Sequence, residues 1–392
     1  MSGRGITRRD FFGAGAAGAA GLWLAGCAGR GRGAGGGAGP LVYVGTYTEP
    51  GGRPEGVYAF RAAPGGWEPL GAHDAGPNPS FLAAHPRGGV LYAVNEVEQY
   101  AGLPSGAVRA LRVGPGGALA PLGDARASGG GAPCYVSVDA AARRLLVANY
   151  AGGSVARLAL GADGAPAAPR VRMHAGRGPN AARQGAPHAH CFLPDPTGRW
   201  GVAADLGTDQ LLVYDVAGEG LPPVDGARLR PGAGPRHLAF APGGRVLYAV
   251  GELDRTLNTF RFDPATGALA PAGTVALADE SAPPAGERTA AHVAVAASGR
   301  VVYASVRGDD VLVVLAADPA TGALAVVQRV PTGGRWPRHF ALAPDGRTLH
   351  VANQRSDAVV EFAVDPATGR LAPTGRRVAV PRPVCVCWMP AA

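Results

Sequence analysis

Two neighbouring apolar stretches of this chain are bounded by charge. GPRHLAFAP, residues 234–242, opens with Arg236, and VLYAVGEL, residues 246–253, closes with Glu252. A guanidinium fork grips a carboxylate or phosphate at two points and keeps its charge throughout the physiological range. A carboxylate can take a proton from water or steady a nearby cation. Arg307 ends a third such stretch, VVYASVR, and His188 stands near the start of a fourth, in PHAH at 187–190. Brought together, these four would supply a proton shuttle, a carboxylate and two fixed cations. The set suits a substrate that is anionic or becomes anionic in its transition state.

The scaffold that could gather them is written in the repeats. Residues 234–273, GPRHLAFAPGGRVLYAVGELDRTLNTFRFDPATGALAPAG, are echoed at 336–375 and again at 289–328. Weaker copies begin at Pro79, Pro133 and Pro187, and a half-copy, PVCVCWMP, begins at Pro383. Each full copy holds four strand signals separated by Gly and Asp turns. Four short antiparallel strands per unit, recurring every ~40 to 50 residues, are the pattern of a β-propeller blade. Inner strands are predicted to start at 79, 133, 187, 235, 290, 337 and 383, which is seven starts. The last has no partners after it. LVYVGTYT (41–48), GVYAFRAA (56–63) and WEPLG (67–71) are three strands without a first. The expectation is an all-β, seven-bladed propeller whose C-terminal strand joins the N-terminal blade and closes the ring. Closure removes exposed strand edges.

In an antiparallel pair the start of the first strand lies beside the end of the second, at one mouth of the channel. The residue after each opening Pro, or its equivalent, is Ser80, Cys134, His188, Arg236, Ala291, Arg338 or Val384. The second strands end at Tyr47, Glu96, Tyr150, Leu206, Glu252, Arg307 and Gln354. Five of these fourteen are charged in a chain only 17% charged, so the mouth concentrates charge where a plain scaffold would be apolar. Unpaired buried charge is costly, and a concave charged ring on a rigid frame is a ligand site by default. His188, Glu252, Arg236 and Arg307 are expected to be catalytic. Glu96, Arg338, Gln354 and Tyr150 are expected to bind substrate.

The opening LVYVGTYT, PHAH at 187–190, GPRH at 234–237, Glu252 and the closing ANQRSD resemble the lactonase family of seven-bladed propellers, over about residues 41–390. That family holds bacterial 6-phosphogluconolactonases and fungal carboxymuconate lactonising enzymes. In the lactonising enzymes a His, two Arg and a Glu at the channel mouth are the proposed active residues. The resemblance places them on His188, Arg236, Glu252 and Arg307. It implies a hydrolase opening a sugar lactone. A lactonising cycloisomerase of muconate type is the alternative, as is a non-catalytic, surface-anchored binding scaffold, because a fold does not dictate function.

The chain departs from a cytoplasmic phospholactone enzyme at its start. Arg8, Arg9, Asp10, Phe11 and Phe12 resemble the twin-arginine export signal. Gly13 to Ala25 is too short to span a bilayer, and Leu24-Ala25-Gly26-Cys27 looks like a lipobox whose Cys27 would be lipidated. Residues 28–40 are a Gly-rich tether that cannot bury a core, and 41–392 are the propeller. The expected protein is exported and periplasmic or at the cell surface. It touches a membrane only through its lipid, works as a monomer, and takes a lactone or anionic sugar.

Composition agrees with the strands. With 62 Gly and 36 Pro among 392 residues and 47% hydrophobic content, the chain favours many short strands over long helices. Of the net charge of +8, two units lie in residues 1–27 and the rest is scattered, with no Arg run interleaved with aromatics. Nucleic-acid binding is therefore not expected. His237, His292 and His339 recur at one repeat position and read as scaffold hydrogen bonds near the blade turn. His188 and His190 share a strand face but have no evident third ligand, so neither metal nor other cofactor is expected. Cys134, Cys191, Cys385 and Cys387 read as buried thiols, and the threefold DPATG as a turn.

Overall fold

The computed structural model describes residues 39–48, 55–102, 104–279 and 286–390. The residues expected to form an export signal, with Cys27 and most of the expected tether, lie outside them. Seven sheets are present, each with four antiparallel strand positions. Blade 5 shows the plan. Pro235–Phe240 pairs with Val246–Gly251, which pairs with Thr256–Phe262, which pairs with Leu269–Ala276. In blade 2 the outermost position is split into Leu119–Pro121 and Arg126–Ala127, both paired to Ala107–Val113. Blade 1 takes its innermost strand, Pro383–Trp388, from the C-terminus. That strand pairs with Leu41–Thr46, so the ring closes as expected.

Burial runs from the axis outward. The second strand of a blade is sandwiched between neighbouring blades on both faces, which is why Val90–Asn95, Trp200–Asp205 and Val246–Gly251 are buried along their whole length. Outermost strands such as Pro223–Arg228 face water. The apolar core is therefore a set of layers between blades, not one central mass. Buried aromatics tie four of the blades across to the next blade's outer turn. Tyr43 donates to the Gly117 carbonyl at 2.8 Å, Tyr92 to Gly164 at 2.8 Å, Trp200 to Pro264 at 2.9 Å and Tyr303 to Gly369 at 2.9 Å. Gly369 closes one of the DPATG segments, which are turns held by their own Asp; Asp365, for example, accepts from Ala367 and Thr368.

Innermost strands touch in sequence around the ring. They begin at the same mouth, and in most blades the first residue faces the last residue of the second strand: Pro133 faces Asn149, Pro235 faces Gly251 and Pro337 faces Asn353. Buried Asn side chains at these strand ends fasten the preceding loop. Asn95 donates to Ala75 at 2.7 Å, and Asn353 to Thr332 at 3.1 Å. The next residues in line, Glu96 and Gln354, are thus carried to the channel mouth.

Candidate active site

A cavity of about 480 Å³ opens at that mouth. Glu252 organises one side of it. Its Oε2 lies 2.7 Å from Arg236 Nε and 3.0 Å from Arg307 Nη2, and its Oε1 accepts from Arg183 Nη2 at 2.6 Å. The Arg236 N–H is not aimed along its line to Oε2, so that contact is an ion pair and not a hydrogen bond. Burial alone would raise the pKa of Glu252. Arg307, Arg236, His190 and Arg183 outweigh burial and hold the carboxyl well below the usual carboxylate range. Conversely, burial and the guanidiniums of Arg307 and Arg338 loosen the hold of Arg236 on its proton, against the pull of Glu252. Arg236 is almost wholly enclosed and donates to the Ala291 carbonyl at 2.6 Å, so it forms a floor beneath the cavity.

Glu96 organises the other side. Tyr47 donates to its two oxygens at 2.9 Å each, Ser80 donates to Oε2, and Arg338 Nη2 donates to Tyr47 Oη at 2.6 Å. Arg338 also stacks over the Tyr47 ring, 5.1 Å from its centroid. Burial, the strongest influence, and the Glu96 carboxylate push the Tyr47 phenol far up, with Arg338 opposing, so Tyr47 is a fixed donor at neutral pH. Tyr150 and Gln354 complete the wall, and Gln354 Oε1 is buried with no hydrogen-bond partner among the described residues.

The structure therefore gathers Glu252, Arg307, Glu96, Arg338, Tyr150 and Gln354 around one cavity with Arg236 below it. His188 is placed differently. The inner strand of blade 4 begins at Ala189, which faces Asp205, so His190 and not His188 occupies the register position of Arg236. His190 lines the cavity. His188 stacks on the outer side of the wall against Tyr150, ring centroids 4.5 Å apart, with Nδ1 3.0 Å from the Tyr150 carbonyl. Pro187 stands three residues before this ring position, whereas Pro235 and Pro337 stand one residue before theirs. Counting back ten residues from the start of the second strand lands on Arg236 from Val246, on Arg338 from Thr348, and on His190 from Trp200.

Four further lining residues escaped the sequence reading: Arg183, Trp336, Glu287 and Arg355. Arg183 comes from the long connection between Pro166–Met173 and Ala189–Pro194, outside the repeat. Buried Gln184 anchors that loop by donating to Leu206 at 2.8 Å and Asp209 at 2.7 Å. Nothing periodic marks Arg183, because only the tertiary path of the loop brings it to Glu252. Trp336 precedes the opening Pro337 with a left-handed φ of 66° and sits between two cations, Arg355 at 3.3 Å and Arg307 at 5.3 Å from its ring centroid.

The repeated histidines are not at the blade turns. They meet one another under Arg236. His237 Nδ1 lies 2.7 Å from His292 Nδ1, and the His292 and His339 rings are 4.0 Å apart. Phe81 and Tyr135 pack edge-on against His237, so aromatic rings from five blades floor the cavity. The Arg236 Nη1 group, 3.2 Å from His237 Nε2, can only donate there. His237 must then carry its proton on Nδ1 and give it to His292. Burial first, and Arg236 or neighbouring histidines second, hold all three imidazoles neutral, with His339 pulled down to about 3. Among the described residues, no group of three or more His, Cys, Asp or Glu side chains is arranged to hold a metal ion, and the four described cysteines are free thiols.

The profile of the family described as "Lactonase, 7-bladed beta-propeller" matches residues 41–388. The chain belongs to the lactonase family. Within it, this lactonase-family protein is 33% identical over 284 residues to the 6-phosphogluconolactonase of Bacillus subtilis (strain 168), across 71% of this chain and 78% of the relative. Among solved structures it is similar to the periplasmic gluconolactonase of Pseudomonas aeruginosa, with 33% identity and a TM-score of 0.81 over 90% of this chain and 99% of that one. A Bacteroides fragilis protein, provisionally described as a 6-phosphogluconolactonase, matches at 30% identity and the same TM-score of 0.81, again over 90% and 99% of the two chains. The lactonase-family propeller therefore carries a cavity lined by four guanidiniums and three carboxylates, with a fifth guanidinium, Arg236, in its floor.

Proposed function

We propose that this protein hydrolyses the ring ester of a sugar lactone in the cavity at the propeller mouth. The observation that carries this reading is the cluster of Arg183, Arg236 and Arg307 on Glu252, set opposite Arg338 in one cavity. One carboxylate cannot neutralise three guanidiniums, so the cluster keeps an excess of positive charge in a partly dehydrated site. Such a field stabilises negative charge on the oxygen of a tetrahedral intermediate, and it attracts a carboxylate or phosphate on the substrate. The buried, unpartnered Gln354 Oε1 supports a hydroxyl-bearing ligand, since only a donor can satisfy it. The relatives' names, a 6-phosphogluconolactonase and a periplasmic gluconolactonase, support the sugar class.

We further read the protein as exported by the twin-arginine route and held by a lipid on Cys27. The periplasmic setting of the Pseudomonas relative supports that address. An extracytoplasmic sugar lactone then fits better than a phospholactone made in the cytoplasm. The test is a panel of gluconolactone, its 6-phosphate and muconolactones, followed by pH-stat. Acid release above the spontaneous rate on a sugar lactone is the expected result. Turnover confined to muconolactones would move the protein to the cycloisomerase reading, and no turnover at all would favour a scaffold.

A further inference from the structure

The two cavity carboxylates are placed for different work. Glu252 has both oxygens occupied by cations: Oε1 by Arg183, and Oε2 by Arg236 and Arg307. A carboxylate so surrounded has little affinity for a further proton. Among the described residues, Glu96 has only neutral hydroxyl donors on its oxygens, those of Tyr47 and Ser80. It faces the same cavity, across from Arg338. The chain Arg338 to Tyr47 to Glu96 fixes its direction, because a guanidinium only donates and the phenol must pass its own proton onward.

We infer that Glu96 is the general base that activates water for the lactone opening proposed above, while Glu252 holds the arginines in place. The inference rests on the hydrolase reading. In the first step the water oxygen bonds to the lactone carbonyl carbon, the carbonyl electron pair moves to its oxygen, and the released proton passes to Glu96. In the second step the carbonyl re-forms, the ring C–O bond breaks, and the proton on Glu96 passes to the departing alkoxide. The hydroxy acid product loses its own proton to solvent, so Glu96 ends the cycle ionised. Four groups with ionisable or hydroxyl side chains face it: Tyr47, Ser80, Cys134 and Arg338. Burial pushes the Tyr47 and Cys134 protons to high pH, and Arg338 stays charged, so none of these changes state on the acid side.

The experiment measures the pH dependence of kcat/KM on the best sugar lactone for wild type, Glu96→Gln, Glu96→Ala and Glu252→Gln. Glu96→Gln should lose about 10²- to 10⁴-fold at neutral pH, the range for a missing general base, and should lose the acid limb of the profile. Added formate should restore at least part of the Glu96→Ala rate. Glu252→Gln should keep the acid limb. A Glu96→Gln protein within threefold of wild type, or one that keeps the acid limb, overturns the assignment. So does failure of formate to restore a folded Glu96→Ala. If neither variant folds, Glu96→Asp keeps charge and partners while withdrawing the carboxylate by one methylene. It should lose tenfold or more, and a full rate overturns the assignment. A wild type inert towards every lactone overturns the hydrolase reading and this role together. An active wild type with an undiminished Glu96→Gln overturns this role alone.

Discussion

Glu252 carries three guanidiniums on two oxygens, all within 3.0 Å, and two of them are themselves buried. Arg236 and Arg307 are almost wholly buried, so their charge is tolerated chiefly because the carboxylate is there. Removing one partner of a buried charge cluster strands the others, which typically costs about 3 to 5 kcal/mol. Glu252→Gln is therefore expected to lower Tm clearly and to raise KM for an anionic lactone, both readable by thermal unfolding and initial rates. An unchanged Tm would mean that solvent already screens the cluster. The neighbouring His190 shows what residue types alone leave open. PHAH offers two histidines, and the choice between them rests on which residue begins the strand.

The blade element explains Trp336. The residue before the opening Pro adopts a left-handed backbone in five blades: Asn78, Ala132, Gly234, Trp336 and Arg382. Gly234, at φ 62°, takes this conformation without penalty. A bulky L-residue there is strained by roughly 1 to 2 kcal/mol. The tryptophan gains in return a place in the cavity wall and stacking against Arg307 and Arg355. Trp336→Gly should lower Tm, since relief of that strain only partly offsets the loss of a buried indole, about 3 to 5 kcal/mol. KM should rise about tenfold with kcat little altered, matching the ~1 to 2 kcal/mol of a stacked cation–aromatic contact. Steady-state kinetics would read this directly, and a kcat loss with constant KM would contradict it. The repeat made the turn, strand and pre-proline positions legible. It was silent about Trp336 because each blade fills that position with a different residue.

At the scale of the whole molecule the ring is closed at the seam where the last blade meets the first. Trp67 of blade 1 stacks on His350 of blade 7 at 4.5 Å and meets Trp388 of the closing strand edge-on at 5.6 Å. Glu361 stands behind this stack, 3.3 Å from His350 Nε2 and accepting from Arg376 Nε at 2.8 Å. Burial would raise its pKa, but the His350 and Arg376 hydrogen bonds prevail and lower it from 4.5 to about 2. A carboxylate with a lowered folded-state value stabilises the fold above its unfolded value and loses that contribution as pH falls through the folded one. Seam stability should therefore fall between about pH 4.5 and pH 2. With Arg376 half exposed, the loss is on the order of 1 to 2 kcal/mol. Urea unfolding across that range should show the loss in wild type and a flatter dependence in Glu361→Gln.

The chain alone carries the blade count, the strand plan, the closing strand and most of the mouth ring, because these follow from local patterns repeated along it. Apolar alternation, Gly and Asp turns and the opening Pro are each visible within a few residues. Tertiary structure decided what repetition does not encode. It brought Arg183 from an unpatterned loop onto Glu252, set His190 in the ring in place of His188, and gathered the repeated histidines into a floor. It also set different partners on the two cavity carboxylates, the Tyr47 hydroxyl from blade 1 on Glu96 and the guanidiniums of Arg183 and Arg307 on Glu252, because only the packed ring brings those side chains within reach.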